Sequence, residues 1–570
     1  MKIDLLLKDV KVFNSYYKKF VEGNVAILDG KVLYIDKKKN ESFEAKEEMN
    51  CEGKYLIPGF VDIHMHIEST MTTPEPFCET LAKYGVTTII SEPHEIANVM
   101  GVAGINAMIE AGKESKVDVF YAIPSSVPST NEKLETTGAK ISFDDMVELS
   151  NMEDVVCVGE VMNYTGVISD PELEICKFIK HLKATKPNYV IEGHCPSLLD
   201  LDLAKFLFLG INGDHTEHNF EEVRQRFENG MFVEFQYKML REELIEYVKE
   251  NNLFEHMCFV TDDVMADDFI GKGHLNVIVK RAIELGMSVE EAIYCATFTP
   301  SRRMNLTDRG AIAPGKIADM ILLDNLEDFN ITNTFKDGKV IYNSSEEFKF
   351  TKPKYVFDKS FYESVKLDKL TKDNFKIELP IKDGTLTCRV MEVRNGGTLT
   401  KEVFRDIEVK DGNLVLEGTD CLLVSVFERY GKNGGVGFGL MTGDAIKDGA
   451  VATTYAHDHH NLFVTGKRIE DMVIAANKVI EYQGGFVVVK DEKIIADLQL
   501  NVGGILSDES MDVIGEKVKN VKAGLIELGY NHYNPIMSLC TLSLPVSPEL
   551  KITDKGLINV RESKVVTLWV

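Results

Sequence analysis

The chain has 570 residues, enough for several hydrophobic cores, and its 44% hydrophobic and 27% charged content is ordinary for a soluble globular protein. A net charge of −26 excludes a non-specific nucleic-acid binder, which requires clustered lysine and arginine. Ten cysteines stand singly with no CxxC pair, which excludes a disulfide framework or thiolate zinc cluster and reads as small core residues in a reducing cytoplasm.

The N-terminal "MKIDLLLKDVKVF" continues into strand alternation without a small-residue cleavage pattern, so no signal peptide is read. Residues 1–57 give short strands ("VKVFN", "NVAILDG", "KVLYID"). Eight apolar, β-rich runs follow between Ile57 and Asp263. In order they are "IPGFVDIHMH", "TTIISEPHE", "VDVFYAIPS", "VVCVGEVMN", "NYVIEGHCP", "INGDHTEH", "MFVEFQY" and "MCFVTDD". Amphipathic stretches such as "ELEICKFIKHLKATK" separate most of them, and the segment after the seventh run is ambiguous. Strand and helix in alternation predict a parallel sheet, and eight repeats predict a closed (β/α)8 TIM-like barrel over residues 58–302, an α/β fold. Residues 303–350 return to short strands, and 351–570 mix strands with amphipathic helices as a separate C-terminal α+β domain. "GKNGGVGFGLMTGD", Gly431 to Asp444, lacks the Lys-Ser/Thr ending of a phosphate loop and reads as a loop. No stretch is long enough to span a membrane.

The strand ends carry the chemistry. His64 and His66 close the first run on one face, since successive strand side chains alternate. Glu92, His94 and Glu95 end the second, Glu160 and Asn163 the fourth, His194 the fifth, His215 the sixth, and Asp262 with Asp263 the eighth. Every strand of such a barrel points its C-terminal end at one mouth. Histidine and carboxylate there are the ligands that borderline divalent metals prefer. His64, His66 and Asp262 make one metal site, His194 and His215 a second, and Glu160 has two oxygens with which to bridge them. Two cations so placed share a hydroxide, and Asp262 is the carboxylate beside it that takes a proton and passes it on. The cytidine-deaminase type of zinc enzyme is excluded because no PCxxC occurs.

"PGFVDIHMHIEST", "EPHEIANVMG", "GEVMN", "GHCP", "TDD", Gly273–His274 and "DRGAIAPGKIAD" together resemble the adenine deaminase family of the amidohydrolase superfamily. The similarity runs on through "HDHHN" (His457 to Asn461) and "LPVSPELKITDKGLI". The resemblance implies hydrolysis of adenine to hypoxanthine and ammonia, as in purine salvage, by a binuclear enzyme carrying Mn2+, with Fe2+ or Zn2+ as alternatives. It implies the same six ligands, with Glu160 where related hydrolases use a carboxylated lysine. It further implies that residues 1–57 and 303–350 pair as one small β-sandwich, and that the enzyme is a homodimer acting on a small purine base; charge, cysteine usage and the lack of a span add the expectation of a cytoplasmic protein without a nucleic-acid or membrane partner. The expected catalytic residues are Asp262, Glu92, Glu95 and Glu160, and Glu68, His94, Asn163, His457 and Asp458 are expected at the substrate.

Four departures stand out. Glu92 replaces the family's usual aspartate, "GDHT" (Gly213 to Thr216) its "SDHE", and His459 its serine. Phe235, Gln236 and Tyr237 occupy the place of an Arg-Glu-Gly-Ser turn, which leaves another aminopurine, an amino-heterocycle or a cyclic amide open as substrate.

Overall fold

In a computed structural model that describes residues 1–570, each of the eight apolar runs forms a strand. They are β1 (Phe60–Met65), β2 (Val86–Ser91), β3 (Asp118–Ile123), β4 (Val155–Val161), β5 (Val190–Gly193), β6 (Gly213–Asp214), β7 (Phe232–Phe235) and β8 (Met257–Phe259). They pair in sequence order, each pair parallel. Beyond β8, Met65 bridges to Asp262, and the Asp262 N–H donates to the His64 carbonyl at 3.1 Å. The barrel is thus nearly closed, its first and last strands joined by that one bridge at the C-terminal mouth. Connecting helices lay one apolar stripe inward, as Glu174–Thr185 does with Ile175, Phe178, Ile179 and Leu182. The ambiguous segment after β7 is a helix, Glu242–Glu250, burying Leu244, Ile245 and Val248.

Two compact units make up the chain. The first comprises Met1–Pro93, Met108–Ser125 and Ser142–Tyr355. Besides the barrel it holds one eight-stranded sheet built from both flanking segments, in which Tyr55–Pro58 pairs with Met320–Leu323. Leu7, Val12, Ile27, Leu56, Met320 and Phe335 are among the residues of its core.

The second unit comprises His94–Ala107, Ser126–Ile141 and Val356–Val570. Two pieces from within the barrel's span of sequence therefore belong with the C-terminal region. The helix His94–Lys113 has a break at Gly101 (φ +61°, ψ −145°), where an added Cβ would stand 2.8 Å from the Ala139 Cβ. Only glycine suits both that dihedral and that approach. Val356–Val570 carries a nine-stranded sheet covered by the helix Ile469–Tyr482, and a small three-stranded sheet near its end. The glycine-rich stretch is a loop only at its start. There Lys432, Asn433 and Gly434 donate their N–H groups to one oxygen of Glu428 at 2.9, 2.9 and 3.0 Å. Val436–Gly443 is a strand, antiparallel to Leu422–Phe427 on one side and parallel to Gly384–Val393 on the other, with residues 439–442 buried in succession as befits a strand interior to its sheet. No helix is long and apolar enough to cross a membrane.

Candidate metal centre

His64 and His66 leave β1 on the same face, and their Nε2 atoms lie 3.5 and 3.4 Å from Asp262 Oδ1. Glu160, near the end of β4, faces both halves of the cluster. Its Oε1 is 3.6 Å from His66 Nε2, and its Oε2 is 2.7 Å from His194 Nδ1 and 3.3 Å from His215 Nε2. The His194 and His215 nitrogens are 3.2 Å apart. The interlocking triples His64–His66–Glu160, Glu160–His194–His215 and His64–His215–Asp262 each keep their ligand atoms within 4.8 Å of one another. All six side chains singled out at the strand ends therefore converge on one small volume.

The donor set fits divalent cations. Imidazole nitrogens and carboxylate oxygens are the ligands that manganese, iron and zinc share. His64 Nε2 is buried with only the long 3.5 Å approach to Asp262 Oδ1 and no well-formed hydrogen bond, a costly state for a polar atom unless something with positive charge faces it. Burial, with His215 beside it, pushes His64 down to about 4, so its lone pair stays available. Burial by itself raises a carboxyl, but the His194 and His215 imidazoles outweigh it and hold Glu160 well below the usual range. The same balance, with His64 and His66 as partners, keeps Asp262 ionised.

Neighbouring groups aim these side chains. The Glu92 carbonyl lies 3.0 Å from His66 Nδ1, so that nitrogen donates and Nε2 is left to face the cluster. Gln236 Nε2 donates to Asp262 Oδ2 and to the His215 carbonyl, each at 2.8 Å. Asp62 receives the Thr261 hydroxyl at 2.6 Å and the His64 N–H at 3.4 Å, tying β1 to the segment after β8; burial pushes its carboxyl up to about 7. Reading strand ends missed Asp62, although it shares the face of His64 and His66, a period-two signal that would have found it.

Glu92 is buried, and its Oε2 accepts the Glu160 N–H at 2.7 Å. Gly159 makes room for it, because a Cβ there would sit 2.4 Å from the Glu92 carboxyl. Gly159→Ala is expected to displace Glu92 and cost about 1–3 kcal/mol of stability by overpacking. Chemical denaturation and turnover, measured together, check this; wild-type values for both would refute the close approach.

The remaining expected residues divide. Glu68 is buried in the short turn Ile67–Thr70. Asn163 is exposed and accepts the Gly166 N–H at 3.1 Å, capping the helix Tyr164–Ser169, so its side-chain oxygen serves that helix. His94, Glu95, His457 and Asp458 lie buried in the second unit. There Glu95 pairs with both His457 Nδ1 and His460 Nε2, while His94 Nε2 lies 3.3 Å from it. Burial opposes its charge, yet these imidazoles hold Glu95 well below the ordinary range. The "HDHHN" stretch is buried along its whole length. Asn461 donates to the Thr136 carbonyl at 2.8 Å, and the Arg429 side chain donates to the His460 carbonyl, to Ser364 and to the Gly503 carbonyl.

Residues 55–341 match the Amidohydrolase family, and residues 397–564 match the Adenine deaminase C-terminal domain. An adenine deaminase of Clostridium perfringens is 48% identical over 100% of both chains. Adenine deaminase 2 of Shouchella clausii is 48% identical over 100% of this chain and 99% of its own. An adenine deaminase of Lactobacillus delbrueckii subsp. bulgaricus is 43% identical with the same coverage. The chain belongs to the adenine deaminase family of amidohydrolases. Among the departures from the family pattern, Phe235 is fully buried and stacks near Phe227, and Tyr237 is exposed. Only Gln236 of that group reaches the centre, where it steadies Asp262. The segment thus partly packs the barrel and partly holds the Asp262 carboxylate.

Proposed function

We propose that this chain hydrolyses adenine to hypoxanthine and ammonia at a pair of divalent cations. The substrate assignment is supported by relatives named adenine deaminase that are 48% identical over its full length, and the alternative substrates have no comparable support. The site assignment is carried by Glu160, whose two oxygens face separate histidine groups at 3.6 and 2.7 Å. His64, His66 and Asp262 would hold one cation, His194 and His215 the other, and Glu160 both. When bound, such cations lower the pKa of water and so supply a nucleophile at neutral pH. The reading takes Mn2+ as the native pair and a cytoplasmic homodimer as the working form.

Replacing the 6-amino group by oxygen moves two protons from water, one to the ring nitrogen beside C6 and one to the departing amine. Asp262 is assigned the transfer at Oδ1, because its other oxygen is occupied by Gln236. Glu92 holds the Glu160 backbone in place and is assigned the proton at the ring nitrogen. Glu95, paired with His457 and His460, is assigned to orienting those imidazoles rather than to proton transfer.

Ammonia release from a purine panel with Mn2+-loaded protein tests the assignment. Adenine is expected to turn over fastest. Release from guanine, isoguanine or a cyclic amide, with none from adenine, would overturn the substrate and leave the metal centre standing.

A further inference from the structure

β6 is only two residues long, and its ladder to β5 consists of the pairs Glu192↔Gly213 and Gly193↔Asp214. His194 and His215 each stand one residue beyond that ladder, so backbone pairing ends just where their direction has to be fixed. The Asp214 side chain takes over. It is fully buried and accepts from the Cys195 N–H at 3.4 Å, the Cys195 thiol at 3.0 Å, the Thr216 N–H at 3.1 Å and the Thr216 hydroxyl at 2.9 Å. His218 Nε2 at 2.8 Å and Arg226 Nε at 2.7 Å complete its partners. Cys195 follows His194 and Thr216 follows His215, so one carboxylate grips the residue after each histidine.

Arg226 locks the grip from behind. Also fully buried, it comes from the helix Phe220–Glu228 and donates to the Cys195 carbonyl at 2.6 Å and the Leu198 carbonyl at 3.3 Å. Thr216 stands where the family usually has an acid. A second carboxylate would repel Asp214, whereas a hydroxyl donates to it and also meets His218 Nε2 at 2.9 Å. A buried carboxylate bonded on both oxygens to four side chains and two backbone N–H groups of its surroundings is held rigidly, which is what a pair of histidines on two separate strands requires to keep its aim.

We infer that Asp214 is a positioning residue that sets the aim of His194 and His215 together. The inference rests on the reading of those histidines as ligands. Mn2+ content and affinity, measured on the full chain by chelator competition, test it. Wild type is expected to bind two equivalents. In Asp214→Asn one equivalent should weaken about 10- to 100-fold, the usual effect of losing a partner behind a ligand, while the other is unchanged. Turnover should recover toward wild type at saturating Mn2+, which a general loss of structure would not allow. Thr216→Val removes one donor with little change of shape and decides the matter if the asparagine variant does not fold: a several-fold weakening of the same equivalent is expected. Two equivalents at wild-type affinity in the folded variants would overturn the role of Asp214. A wild type that binds no Mn2+ would instead overturn the metal centre itself.

Discussion

Glu160→Gln is expected to strip the centre of metal and of turnover together. The carboxylate sits within 3.6 Å of three imidazoles, one facing Oε1 and two facing Oε2. Glutamine keeps the shape but turns one of those oxygens into an N–H donor and removes the negative charge. Losing a partner behind a ligand already costs about 10- to 100-fold in metal affinity, and a ligand shared by both cations should cost more. Elemental analysis of the purified variant is expected to fall below the two equivalents of wild type, with kcat/KM reduced by more than about 100-fold. A variant that retained two equivalents and full turnover would remove Glu160 from the site.

Asp262→Asn separates proton transfer from metal binding. Asparagine can still offer an oxygen, and Gln236 can still bond its side chain, but the amide cannot take up a proton. With Mn2+ at saturation, kcat is expected to drop by about 100- to 10,000-fold while KM changes little, the signature of an interaction made in the transition state. The metal content has to be measured on the same sample. Full turnover in a loaded Asp262→Asn protein would move the proton shuttle to another carboxylate.

Much of the candidate site is legible in the sequence because barrel geometry converts position along the chain into position in space. Eight apolar runs become eight strand ends around one mouth, and six of them carry histidine or carboxylate, so His64, His66, Glu160, His194, His215 and Asp262 could be grouped without coordinates. Groups that act sideways were not legible. Gln236, Asp62 and Asp214 matter through hydrogen bonds to residues up to 199 positions away in the chain, and no local period records such partners. Asn163 shows the converse. Its place at a strand end suggested substrate, but the next helix begins one residue later and claims its side chain as a cap.

By itself the sequence determined the fold class, the family and which strand-end side chains form the candidate metal cluster, since these follow from hydrophobic periodicity, motif spacing and residue chemistry. Tertiary structure alone decided which oxygen of Glu160 faces which histidine and how Asp214 joins two strands. It also decided that residues 94–107 and 126–141 belong with the C-terminal unit. Each of these depends on side-chain direction and on packing between segments distant in sequence. Such pairings are set by burial and hydrogen bonding in the completed fold, not by the order of residues within any one element.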